Sequence, residues 1–141
     1  MLCTHLKFDH VRRFEKTDEI VEKIREYVRY IRGSPSRKEK FIKCVTDLNL
    51  DANRGLKQDL PTRWNSTFLM LSNALYFRTV FEHLELTDLN FKACSSTIEW
   101  ERAEQLCKFL EPFYVLTCLF SRTKYPISNL FSHHCWRYFG L

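Results

Sequence analysis

Arg63 and Trp64 stand side by side in LPTRWNSTFLML (60–71), where a polar loop gives way to an apolar run. A guanidinium is a permanent cation whose planar fork matches phosphate. An indole face can stack on an unpaired base, worth about 1–3 kcal/mol. The mouth of a helix adds backbone N–H groups that the helix itself cannot use. With Asn65, these groups make a candidate contact for an unpaired or flipped base. The packing alternative stands beside it: read in isolation, a Trp entering an apolar helix is more often a buried anchor than a ligand platform.

A second set of cations lies upstream. Arg25, Arg29 and Arg32 step at helical spacing, and Arg37, Lys38, Lys40 and Lys43 follow. Glu19, Glu22, Glu26 and Glu39 are interleaved and balance part of that charge. Such a run is either a solvated helix face or a set of phosphate contacts. Over the whole chain, 22 Lys and Arg exceed 17 Asp and Glu, giving a net charge of +5. This is a modest bias towards polyanions.

Other chemistries find little support. Cys3, His5 and His10, or His133, His134 and Cys135, offer ligand atoms without the paired spacing of a structural zinc site. The acids Asp9, Asp18, Asp47, Asp51, Asp59 and Asp88 are scattered, and no P-loop, GxSxG or HExxH occurs. The reading is therefore no cofactor, no metal and no small-molecule substrate. The start MLCTHLKFDH lacks an apolar signal core, and most of the six cysteines sit in helix-like apolar patterns. Both point to a reducing intracellular compartment rather than a disulfide framework. The greasiest stretch, FLEPFYVLTCLF (109–120), is too short to span a bilayer, so no membrane is expected.

The elements that must carry these groups read as helices. The chain has 141 residues, 45% hydrophobic and 15% aromatic, with scarce Gly and Pro, enough for one packed domain. Residues 1–16 lack a period; 17–141 read as a single helical domain. A first helix, capped by Thr17 or Asp18, carries Ile20, Val21, Ile24, Val28 and Ile31 on one face and stops at Gly33. Ser34 caps a second, with Pro35 at its first position and Phe41, Ile42, Val45 and Leu48 turned inward. Residues 49–61 are a loop closed by Pro61. A third helix starts near Thr62–Asn65 and keeps one stripe through Phe68, Leu71, Phe77, Phe81 and Leu84. Ser96 and Glu99 form a capping box for a fourth, which Pro112 should kink or split. A final apolar segment opens at Ser128. No alternating strand pattern appears, so the expected class is all-α.

The stretch LPTRWNSTFLML closely resembles the D-x-P-T-R-W-N-S-T signature of plant hAT-superfamily transposases. VEKIREYVRYIRGSPSRKEKF upstream and NFKACSSTIEWERAEQLCKFLEPFYVLTCLFSRTKYPISNLF downstream resemble the family's flanking segments. The similarity runs from about residue 18 to about residue 132 and points to the BED-zinc-finger, RICESLEEPER-like group. It implies the helical insertion segment of an RNase H-like hAT transposase core, without the finger and without the catalytic Asp, Asp and Glu. It implies no autonomous catalysis. The family's Cys-x-x-His element would fall where Leu2 and His5 stand, so it is only partly echoed.

The resemblance also assigns Trp64 to stabilising a flipped-out base, with Arg63 as the neighbouring phosphate contact. The expected partners are DNA and full-length hAT-like relatives, and the expected compartment is the nucleus. The candidate DNA contacts are Arg63, Trp64, Asn65, Arg25, Arg29, Arg32, Arg37 and Lys38. The alternative is a helical protein-interaction module of a domesticated transposase acting as a transcriptional regulator, motivated by the aromatic end CWRYFGL.

Overall fold

A computed structural model describes residues 18–60, 62–91 and 95–122. The possible Thr17 cap, the Cys3–His10 and His133–Cys135 groups, Pro61 and the segment from Ser128 lie outside the described residues. Every regular element among the described residues is helical: α1 (18–32), α2 (Pro35–Asp47), a 3-10 turn (Ala52–Arg54), α3 (Trp64–Tyr76), α4 (Arg78–Thr87) and α5 (Thr97–Arg122).

Helix α1 follows its apolar period. Ile20, Ile24, Tyr27, Val28 and Ile31 are buried, and Val21 packs at the edge of the core. It ends at Gly33, whose N–H donates to the Arg29 carbonyl at 2.9 Å. Pro35 opens α2, but the Ser34 hydroxyl makes no capping bond. The buried face of α2 is rotated from the sequence expectation: Phe41, Cys44 and Val45 are inside, whereas Ile42 and Leu48 are exposed. Cys44 is small enough to fill the space beside α4, and that frees Ile42 to face out.

The long third helix of the sequence reading is two helices. They meet at Phe77 (φ −94°, ψ 16°), which ends α3 and begins α4. Its N–H donates to the Asn73 carbonyl at 3.1 Å, and its own carbonyl accepts from Val80 at 2.9 Å and Phe81 at 3.1 Å. No Gly or Pro marks this corner. Burial holds it: Phe77 is fully enclosed and meets Phe41 edge-on at 5.2 Å.

Helix α5 begins at the expected capping box. The Ser96 N–H donates to Glu99 Oε2 at 2.8 Å, and the Glu99 N–H donates to Ser96 Oγ at 3.3 Å. Glu99 also pairs with Lys23 of α1. Of the two outcomes expected at Pro112, a kink or a split, the split does not occur: the helix runs continuously from Thr97 to Arg122 with the proline inside it. One missing N–H in 26 residues is tolerated in a helix that packs along α3, with Phe113 against Trp64 and Tyr114 against Phe68 just past the proline.

The core is aromatic. Tyr27 lies 5.8 Å from Phe81 and 5.7 Å from Phe91, and Phe81 stacks on Trp100 at 6.1 Å. Each large side chain buried this way contributes about 1.5–3 kcal/mol before the entropy of ordering it is subtracted. Cys44, Cys107 and Cys118 are free thiols. Burial, with Glu111 and Glu104 nearby, pushes the Cys107 thiol up to about 11, so it is a packing residue rather than a nucleophile.

Candidate nucleic-acid interface

The loop before α3 is long, yet it is tied down along its length. Asp51 accepts from the Asn53 N–H at 2.9 Å and gives its own N–H to the Tyr76 hydroxyl at 3.0 Å. The Arg54 guanidinium lies 4.4 Å over the Tyr76 ring, and its Nε donates to Asn73 Oδ1 at 3.0 Å. Gly55 then turns the chain at φ 59°, a region glycine enters without strain. The Leu56 carbonyl accepts from Arg32 of α1 at 3.1 Å.

The last anchor is Asp59. Its carboxylate is buried in the loop and faces α1. Arg25 grips it with both prongs, Nε to Oδ1 at 2.8 Å and Nη2 to Oδ2 at 2.6 Å. The Thr67 hydroxyl, from α3, donates to the same Oδ2 at 3.1 Å. Hydrogen bonding from Arg25 holds the Asp59 carboxyl below the usual carboxylate range and holds Arg25 above its ordinary value. Ser66 completes the bracket: its hydroxyl lies 2.8 Å from the Leu60 N–H and 2.6 Å from the Arg63 carbonyl.

Arg63 and Trp64 project from this bracket. Arg63 sits in extended geometry at the N-cap (φ −129°, ψ 99°) and makes no side-chain capping bond. Its guanidinium is exposed. Trp64 is the first residue of α3 and is 42% exposed. One side of its indole meets Phe113 of α5 edge-on at 6.1 Å. Phe113 in turn touches Phe109 at 5.5 Å. Among the described residues, the N–H groups of Trp64 and Asn65 have no hydrogen-bond acceptor. Cation and open aromatic face therefore share one corner, at a helix start whose first N–H groups have no acceptor within the helix.

The other sequence candidates divide. Arg25 is not on a free face: its guanidinium is occupied by Asp59 and also meets Glu22. Its helical spacing with Arg29 and Arg32 hid that difference. Arg37 is half-buried and folded back, 3.9 Å over the Tyr30 ring, with Nη1 on the Tyr30 carbonyl at 3.3 Å. The Asn65 amide oxygen is buried without a partner. Arg29 is exposed and only loosely paired, 3.5 Å from Glu22. Arg32 and Lys38 are exposed and share with Leu56 the lining of one shallow apolar cleft. The sequence reading missed Lys57, exposed in the pinned loop, and the bracket of Asp59, Ser66 and Thr67. The motif itself carried that signal, since all three acids and hydroxyls lie within eight residues of Arg63. No group of His, Cys, Asp or Glu able to hold a metal ion occurs among the described residues. No helix among them is long and apolar enough to cross a membrane.

Comparison with known proteins decides the family, for the model of the ZBED1 RNase-like helical domain matches residues 11–109. The chain belongs to that family. This RNase-like helical domain is related to hAT-type transposases. It is 35% identical over 118 residues to the zinc finger BED domain-containing protein RICESLEEPER 2 of Oryza sativa subsp. japonica, covering 84% of this chain and 16% of the relative. It is 40% identical over 113 residues to the putative AC transposase of Zea mays, covering 79% of this chain and 14% of the relative. It is 30% identical over 99 residues to the zinc finger BED domain-containing protein DAYSLEEPER of Arabidopsis thaliana, covering 70% and 14%. The RNase-like helical domain thus spans only a small part of each of these relatives. No solved structure matches it. The all-α class and the hAT relationship expected from the sequence both hold.

Proposed function

We propose that this helical domain is a DNA-binding unit without chemistry of its own, working in the nucleus on DNA with an unpaired or flipped base. The observation that carries the reading is the exposed Arg63–Trp64 corner at the head of α3, where Arg63 makes no side-chain capping bond. Trp64 stacks on the base, while Arg63 and the N–H groups of Trp64 and Asn65 hold the adjacent phosphate. Arg29, Arg32, Lys38 and Lys57 are the flanking cations. Arg25 and Arg37 are left out of the contact set, because their guanidiniums are engaged inside the fold. The relatives named as transposases and BED zinc finger proteins support DNA as the partner, and full-length relatives of that kind are the proposed protein partners.

The test is Trp64→Ala measured on duplexes with and without one unpaired base. The substitution should weaken binding to the unpaired substrate by about 1–3 kcal/mol and leave binding to intact duplex nearly unchanged. Wild-type affinity should also fall steeply with salt. Salt-independent binding, or none, would sink the reading. A second reading, a protein-interaction module, is favoured by Leu86 and Leu89, 83% and 91% exposed around the α4–α5 connection. Purification that recovers a protein partner lost in Leu89→Ser, and no nucleic acid, would select it.

A further inference from the structure

We propose that Asp59 is the positioning residue of the Arg63–Trp64 corner, acting through Arg25 and Thr67 rather than by touching DNA. The inference rests on the DNA reading above for its functional half, and on geometry alone for its structural half.

A carboxylate in a surface loop is ordinarily solvated. Asp59 is instead 4% exposed, and its oxygens take three hydrogen bonds from two helices. Two come from Arg25, a residue 34 positions earlier on α1. The third comes from Thr67, in the first turn of α3. The Arg–carboxylate fork is planar and two-pronged, so it fixes orientation as well as distance. The carboxylate thereby ties the start of α3 to α1.

The residues between the two ends of this tie are the ones that matter. Counting from Asp59 to Thr67, the chain passes through Leu60, Arg63 and Trp64. Inside that interval, Ser66 bonds both the Leu60 N–H and the Arg63 carbonyl, and the Arg63 N–H returns to the Leu60 carbonyl at 2.8 Å. The interval is therefore closed by bonds at Leu60, Arg63 and Thr67. Arg63 and Trp64 gain their direction from it, Arg63 being exposed and Trp64 packed on one side against Phe113. Preorganisation of this kind raises affinity by lowering the ordering cost at binding. The same bracket accommodates an Arg, which cannot cap a helix, at the N-cap: Ser66 holds the backbone there, Asp59 holds the Thr67 side chain, and the cation stays outside.

The experiment uses the full chain labelled with 5-fluorotryptophan. It has three tryptophans, and the Trp64 fluorine line is assigned by its loss in Trp64→Phe. Asp59→Asn is compared with wild type at a temperature where circular dichroism shows both folded. The Trp64 line should shift and broaden in Asp59→Asn while the Trp100 line stays in place. The preference for a duplex with one unpaired base over an intact one should collapse from roughly 5- to 150-fold to below about threefold. Should Asp59→Asn not fold, Thr67→Val removes one bond of the three, and Thr67→Ser restores it; the Trp64 line should move in the first and return in the second. A folded variant with the Trp64 line unmoved overturns the proposal, as does one that keeps the wild-type preference. If wild type itself shows no preference, the DNA reading falls and the fluorine line alone decides the bracket.

Discussion

Trp100 and Trp64 occupy comparable places, each in the first turn of a helix with an arginine close by, yet they face opposite worlds. Trp100 is 2% exposed, stacked on Phe81, with the Arg78 guanidinium 5.8 Å from its ring. Trp64 has one edge-on neighbour and an open face. The difference lies in how each helix starts. At α5 a side-chain box ties Glu99 to Ser96, and Lys23 of α1 closes over Glu99. At α3 the N-cap is an arginine with nothing to offer the helix, and the Ser66 hydroxyl turns back to the loop. Trp100 is sealed into the core; Trp64 keeps a face towards solvent.

The contrast can be broken by truncating each ring. Trp100→Ala should cost about 3–5 kcal/mol in urea unfolding, as removal of a fully enclosed aromatic does. Trp64→Ala should cost only about 1 kcal/mol, the scale of one edge-to-face pair, and its main effect should be on DNA. Equal losses of stability at the two sites would erase the distinction.

Acid sharpens it next. Asp59 and Glu99 both have carboxyls held below the ordinary range, chiefly by hydrogen bonds from Arg25 and Lys23 respectively. A carboxyl lowered in the folded state adds stability at neutral pH, and that stability disappears as pH falls through the folded value. Unfolding midpoints followed from neutral pH down to about pH 2 should therefore drop below the usual carboxylate range. The drop should be shallower in Asp59→Asn. The smallest effect belongs to the start of α5: Ser96→Ala should lose about 1 kcal/mol of stability and leave DNA affinity untouched.

What the sequence disclosed was local. The apolar face of α1, the loop at 49–61 and the Ser96–Glu99 box are all set by residues within four positions of one another, and pattern reading finds such things. The corner at Phe77 escaped because it is made by burial rather than by Gly or Pro. The rotation of α2 turned on whether Ile42 or Cys44 faced in, a choice that depends on the neighbouring helix and not on hydrophobicity. In the site, Arg63 and Trp64 were evident as chemistry, but their exposure was not. Arg25 was indistinguishable from Arg29 until Asp59, 34 residues on, was brought beside it. Long-range ion pairing leaves no periodic trace.

Lys23 and Glu99 are 76 residues apart, and Tyr27 meets Ser95 across 68. The first and last described helices are thus fastened to each other, with the Lys57–Gln58 peptide exposed on the loop between them. A protease cutting at that peptide would sever the chain without parting its halves, since each piece holds only a portion of the aromatic cluster and needs the other to cover it. Two such pieces, made separately and mixed, should find one another and rebuild the open corner at Trp64.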